Sequence, residues 1–203
     1  MTLHAHVLIL GLIVNSLAFA LTNEMPGGLI QTAEKGRTSQ YEIVITPLIS
    51  HGVSLGTELR YDWAKTVGVG MGFLAGSKGF TLGPSLSWAL QPDRDDQPAF
   101  AILTSLNYFD SNREKYLVTK ITPLISKSFV SLWGESSPYV GLSLLYYRGV
   151  GTVPDALSLK TSLGSQFSTK VMGELKLWVE TGFYFFQFHD LVFGVSYPLG
   201  NEG

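Results

Sequence analysis

The chain has no cysteine. Disulfides, thiol catalysis and cysteine-based metal sites are therefore excluded, as is a lipoprotein anchor on an N-terminal cysteine. Charge is scarce too. Asp, Glu, Lys and Arg make up 15% of the residues, against roughly 25% in a typical soluble domain. The formal charge of −2 sets up no field that would gather nucleic acid, so no nucleic-acid partner is expected. There is no phosphate-binding loop, no dinucleotide fingerprint and no histidine cluster, so neither a cofactor nor a metal is expected. Beyond the leader, no apolar run reaches the roughly 18 residues that a transmembrane helix needs.

What the chain does have is glycine, 22 residues in 203, and aromatic side chains at 12%. It opens with an apolar stretch, Val7 to Leu17, followed by Ala18-Phe19-Ala20. The small-x-small ending reads as a secretory signal peptide over 1–20, cut after Ala20, although no Lys or Arg precedes the stretch. The alternative is an N-terminal membrane anchor, for which the stretch is short. Residues 21–39 read as a polar periplasmic leader, 40–199 as the folded unit and 200–203 as a tail.

From Tyr41 the pattern has period two, as in strands whose side chains alternate between faces. Leu55, Thr57, Leu59 and Tyr61 oppose Gly56, Glu58, Arg60 and Asp62. Val67, Val69, Met71 and Phe73 oppose Gly68, Gly70 and Gly72, and Leu142, Leu144 and Tyr146 oppose Gly141, Ser143 and Leu145. Leu157, Leu159 and Leu163 alternate with Ser158, Lys160 and Gly164; Leu175, Leu177 and Val179 alternate with Glu174, Lys176, Trp178 and Glu180. Turn signals separate the runs, among them Ser50-His51-Gly52, Gly76-Ser77-Lys78-Gly79 and the polar stretch 91–98.

Alternation alone also fits a soluble sandwich or a lipocalin-like ligand-binding barrel. The composition of the two faces decides between them. Gly, Ser and Thr with a few charges cover a soluble surface poorly but suit a narrow lumen, while Leu, Val, Ile and Phe suit lipid. Trp63, Trp88, Tyr108, Tyr146, Phe185 and Tyr197 fall at strand ends, where interfacial girdles form. The expected fold is all-β: a closed, antiparallel, up-and-down transmembrane β-barrel of about ten strands, with eight as the alternative.

In this pattern Tyr41 to Leu199 resembles the small bacterial outer-membrane barrels, the broad OmpA-like and OmpW-like class. The last strand, Leu191 to Tyr197, is similar to that class's C-terminal assembly signal, except that Pro198 to Gly203 follow it. The resemblance implies the outer membrane of a Gram-negative cell as location, with its lipid and the barrel-insertion machinery as partners. It also implies external loops longer than the periplasmic turns, whereas 91–98 and 126–138, the longest here, fall on the periplasmic side.

The inward polar set is Glu58, Arg60, Asp62, Lys160, Glu174, Lys176 and Glu180. Mixed signs in a tight lumen suggest a structural network of paired charges, or else the lining of a small-solute path. The expected function is non-enzymatic: envelope integrity or passive permeability. The alternative is a lipid-modifying or hydrolytic enzyme using a rim group such as His189 beside Asp190. One repeat stands out. Ile45-Thr46-Pro47-Leu48-Ile49-Ser50 recurs at 121–126. A duplication should preserve strand direction, and both prolines should mark bulges or strand ends.

Overall fold

The computed structural model describes residues 41–49, 52–77, 79–94, 96–111, 114–169, 171, 173–184 and 187–199, the side chains of 187–189 excepted. The signal peptide, the leader, His51, Phe185 and the tail lie outside the described residues, as does the side chain of His189.

The strands are β1 (Tyr41–Ile49), β2 (Val53–Tyr61), β3 (Val67–Gly76), β4 (Gly79–Gln91), β5 (Ala99–Ser111), β6 (Lys115–Ser126), β7 (Phe129–Ser131), β8 (Gly134–Gly149), β9 (Ala156–Ser168), β10 (Lys176–Tyr184) and β11 (Gln187–Leu199). Each pairs antiparallel with its neighbour in sequence, except that β6 pairs with β8 and not with the three-residue β7, which pairs with β8 alone. The first strand closes on the last: Tyr41 faces Leu199 and Ile49 faces Leu191. Ten strands thus form a closed ring, and β7 is a short flap folded onto the projecting start of β8. Closure leaves no edge within the ten-stranded ring, which a strand in hydrocarbon requires, because nothing there can satisfy an unpaired backbone group.

The alternation sorts as the sequence indicated. Leu55, Leu59, Met71, Leu86, Leu106, Leu142 and Leu159 point outward and stay exposed, while Ser54, Thr81, Ser143, Ser158 and Ser162 point inward and are buried. Two aromatic rows border the outer face. Tyr41, Tyr61, Trp88, Phe167 and Tyr197 lie toward the end that carries both chain termini, and Phe73, Phe80, Tyr108 and Tyr146 toward the opposite end. Neighbouring rings approach along the rows, Tyr41 to Tyr61 at 4.6 Å and Phe80 to Tyr108 at 6.3 Å between centroids. Between the rows no outward position among the described residues carries Asp, Glu, Lys or Arg; the outward charges Asp110, Lys115 and Arg148 lie beyond the second row. A charge-free apolar belt between aromatic girdles is the surface of a transmembrane barrel. A soluble barrel would have to expose this belt to water.

The prolines behave differently from expectation. Pro47 sits inside β1 opposite Leu55, and Pro123 inside β6 opposite Ile102, with no bulge at either. What lapses is pairing on the other side. The β1–β11 ladder passes from Ile45–Val195 directly to Leu48–Val192, and the β6–β8 ladder from Ile121–Leu144 to Leu124–Gly141, each keeping its register. Pro84 in β4 has the same effect, with pairing to β5 broken between Leu82 and Ser85. A missing N–H removes one rung of one ladder and the barrel spans the gap. The two copies of the repeat lie five strands apart, on opposite sides of the ring and running in opposite directions. A simple tandem duplication would have kept the direction the same.

The connections at the termini end, 62–66, 92–98, 127–133 and 169–175, are mostly longer in sequence than those at the opposite end, 50–52, 77–78, 112–114, 150–155 and 185–186.

Candidate functional site

The lumen holds the protein's chemistry, in two groups. The first lies near the termini end, where β1 begins, β2 ends and β10 begins. Arg60 donates to Glu58 Oε2 at 2.7 Å and reaches Glu42 Oε2 at 3.8 Å. Lys176 donates to Glu42 Oε1 at 3.4 Å, and Ser85 Oγ donates to Glu58 Oε1 at 2.7 Å. Water reaches this group: side-chain exposures are 11% for Arg60, 20% for Glu42, 24% for Glu58 and 33% for Lys176. It forms a vestibule of mixed charge.

The second group lies deeper, and it is dry. Lys160 Nζ on β9 donates to Asp190 Oδ2 on β11 at 2.8 Å and stands 4.0 Å from Glu180 Oε1 on β10. The Tyr139 hydroxyl on β8 donates to Glu180 Oε2 at 2.8 Å. The side chains of Lys160 and Glu180 are both 0% exposed. Lys120 on β6 is also buried and lies within electrostatic reach of Glu58 in the first group and of Glu180, Asp190 and Lys160 in the second. Toward the far end the layer is roofed by a cluster of Phe109, Tyr116, Val118, Leu145, Tyr147 and Tyr184, with Lys160 Nζ 5.9 Å from the Tyr184 ring centre.

Between them the two groups hold four cations (Arg60, Lys120, Lys160, Lys176) and four carboxylates (Glu42, Glu58, Glu180, Asp190). Balance of this kind is what a low-dielectric interior demands, since an unpaired buried charge costs several kcal/mol.

Glycine makes the space for this packing. A Cβ on Gly182 would collide with the Asp190 carboxylate and the Lys160 chain; one on Gly164 would collide with the Tyr139 ring; one on Gly70 would lie 2.7 Å from Glu58 Oε1. Gly182, Gly164 and Gly70 are sockets for the long side chains of neighbouring strands. The small-residue face therefore encloses a filled interior at this level and not an open bore.

Of the residues singled out from sequence, Glu58, Arg60 and Lys176 meet in the vestibule, and Lys160 and Glu180 meet in the dry layer. Asp62 follows the last residue of β2, half-buried, within the field of Arg60. Glu174 is not in the lumen. Strand β10 begins only at Lys176, because Gly173 takes a left-handed φ of 62° and turns the chain; Glu174 is exposed in that turn. Glu42, Lys120, Tyr139 and Asp190 complete the network and were not in the expected set. Asp190, read beside His189 as part of a possible catalytic pair, instead accepts the Lys160 ammonium.

No family model matches the chain, and no curated protein does. Among solved structures, the KdgM porin is 12% identical with a TM-score of 0.44, covering 78% of this chain and 99% of its own. A structure titled "De novo design of transmembrane beta-barrels" is 12% identical at 0.41, covering 81% and 99%. The COG4313 outer-membrane channel from Pseudomonas putida F1 is 11% identical at 0.40, covering 86% and 99%. The barrel itself is established by its own strand pairing.

Proposed function

We propose that the protein is a non-enzymatic β-barrel of the outer membrane, a passive path for small solutes that is closed in its resting state. The signal peptide would direct export and be cut near Ala20, and the insertion machinery would meet the chain at β11. The observation that carries the reading is the gradient of exposure along the lumen, from the wet ions around Glu42 to the dry pair of Lys160 and Glu180. A barrel serving only as scaffold could fill its bore with hydrocarbon. This one sets balanced charge between two buried apolar clusters, one around Val44, Leu124 and Trp178 and one around Tyr116 and Tyr147, and the ions give a permeating solute polar partners once the layer parts.

The test is conductance in planar lipid bilayers. The wild type should be closed for most of the record, with brief openings. The double substitution Lys160→Ala and Asp190→Ala removes one pair from the dry layer and should give long, ohmic openings. Folding of each variant is checked by its heat-modifiable gel mobility. A folded double variant as silent as the wild type would defeat the path. The second reading would then stand, a plugged barrel contributing to envelope integrity, which the complete burial of Lys160 favours.

A further inference from the structure

At the termini end the sheet does not stop at the rim. Pairing of β6 with β8 ends at Ser126–Tyr139, while β8 continues against β9 as far as Glu135–Ser168. The free side of that extension is taken by β7, with Phe129 opposite Ser136 and Ser131 opposite Gly134. The result is a projecting tongue. Its tip is fixed: Ser131 Oγ donates to the Gly134 carbonyl at 3.0 Å and accepts from the Trp133 N–H at 3.3 Å. Gly134 holds a φ of 145° and packs where a Cβ would strike the Ser168 carbonyl, so the turn needs glycine at that position.

The tip is apolar and bare. Leu132 is 100% exposed and Trp133 88%, with Phe129 and Val130 also exposed. From Ser128 to Gly134 no residue is charged; the nearest charges are Lys127 and Glu135. The tongue also continues the outer face of the barrel. Phe129 is in register with Ser136, which is in register with Phe167 of the aromatic row at this end. A soluble loop would not present such a tip to water, whereas an indole beside leucine just beyond an aromatic girdle matches the partition of these side chains into the headgroup zone.

We propose that the β7–β8 tongue is a lipid-binding element that seats Leu132 and Trp133 in the phospholipid headgroup region, fixing the barrel's depth and tilt at the termini end. The inference rests on the lipid-facing reading of the outer belt and extends it beyond the rim.

Because the chain lacks cysteine, a single introduced thiol can carry an environment-sensitive fluorophore. The full chain is folded into dimyristoylphosphatidylcholine vesicles with the label at Leu132→Cys, at Leu142→Cys in mid-belt, or at Thr152→Cys in an exposed turn of the opposite end. Nitroxide lipids and aqueous iodide serve as quenchers. The label at position 132 should be quenched by a headgroup-proximal nitroxide and be several-fold less sensitive to iodide than the label at 152. Quenching by iodide equal to that at 152, without a lipid effect, overturns the tongue proposal. So does shielding from both quenchers, which would mean that a second copy or another protein covers the tip. The label at 142 keeps the two readings apart. Its quenching by a nitroxide deep in the acyl chains supports the belt whatever position 132 does, and its failure to be quenched sinks the membrane reading itself.

Discussion

The two ionic groups of the lumen use the same residue types in opposite surroundings. Around Arg60 the ions are partly wet, with contacts of 2.7, 3.4 and 3.8 Å, a spacing like that of 2.8 and 4.0 Å around Lys160. Around Lys160 the side chains have almost no exposed surface, so each group depends on its protein partners, and glycine sockets hold them in place. Water screens a pair and makes it dispensable, while its exclusion makes the same pair obligatory. Substitutions should therefore have unequal effects in the two places.

The largest difference is expected for the lysines. Lys160→Ala leaves Glu180 and Asp190 facing each other in a dry layer, and should lower the unfolding free energy by about 3–5 kcal/mol. Urea titration of the protein folded in vesicles, followed by tryptophan emission, would register it. A loss no larger than that for a vestibule substitution would show that the layer is not dry.

The glycines sharpen the comparison. Gly182→Ala puts a methyl into the Lys160–Asp190 pair and should cost about 1–3 kcal/mol. Gly72, next to the vestibule, meets only ordinary contacts with the Glu58 chain at 3.8 and 3.9 Å. Gly72→Ala should stay within about 0.5 kcal/mol of the wild type. The same titration checks both, and equal losses would remove the distinction between socket and lining.

The contrast was only partly legible in the sequence. Alternation in β2, β3 and β8 separates the faces sharply because leucine and valine oppose glycine and serine, so the orientation of Glu58, Arg60 and Lys160 could be read directly. Lys120 escaped because β6 has Tyr116, Val118 and Leu124 inside and Leu117 and Ile121 outside, a strand apolar on both faces. Glu42 lies one residue into the first strand, before a pattern has formed. Asp190 was drawn to its neighbour His189, although its partner is thirty residues away in sequence. Glu174 was misplaced because the alternation was extended through Gly173, whose left-handed backbone breaks it. Which inward groups meet depends on the tilt and register of the ring, which a single strand's pattern does not encode.

A smaller effect belongs to the vestibule. Lys176→Ala should cost only about 0.2–1 kcal/mol, and the loss should fade as salt is raised. A salt-independent loss as large as that of Lys160→Ala would erase the difference between wet and dry.

The smallest lies outside the lumen, where Asp93 ties the 92–98 loop to the segment after β6. Burial disfavours its charge, but Lys127, at 2.7 Å, and the Ser128 N–H, at 2.6 Å, outweigh burial and hold the carboxyl below its ordinary value of 3.8. A depressed carboxyl stabilises fully above its unfolded value and loses that contribution as the pH falls through the folded one. Pepsin cleavage of the loop should therefore accelerate on acidification in the wild type and start fast in Asp93→Asn. Identical profiles would mean that the tie carries no stability.

How far water penetrates the barrel can be measured directly. Ser85→Cys places a thiol beside Glu58, and Ser162→Cys places one on the inner face of β9, in register with Gly182. The folded barrel in vesicles is exposed to a small, charged, membrane-impermeant thiol reagent on both faces. The Ser85→Cys thiol should react readily, and the Ser162→Cys thiol only after unfolding. Comparable rates at the two positions in the folded protein would contradict a lumen that closes above its vestibule.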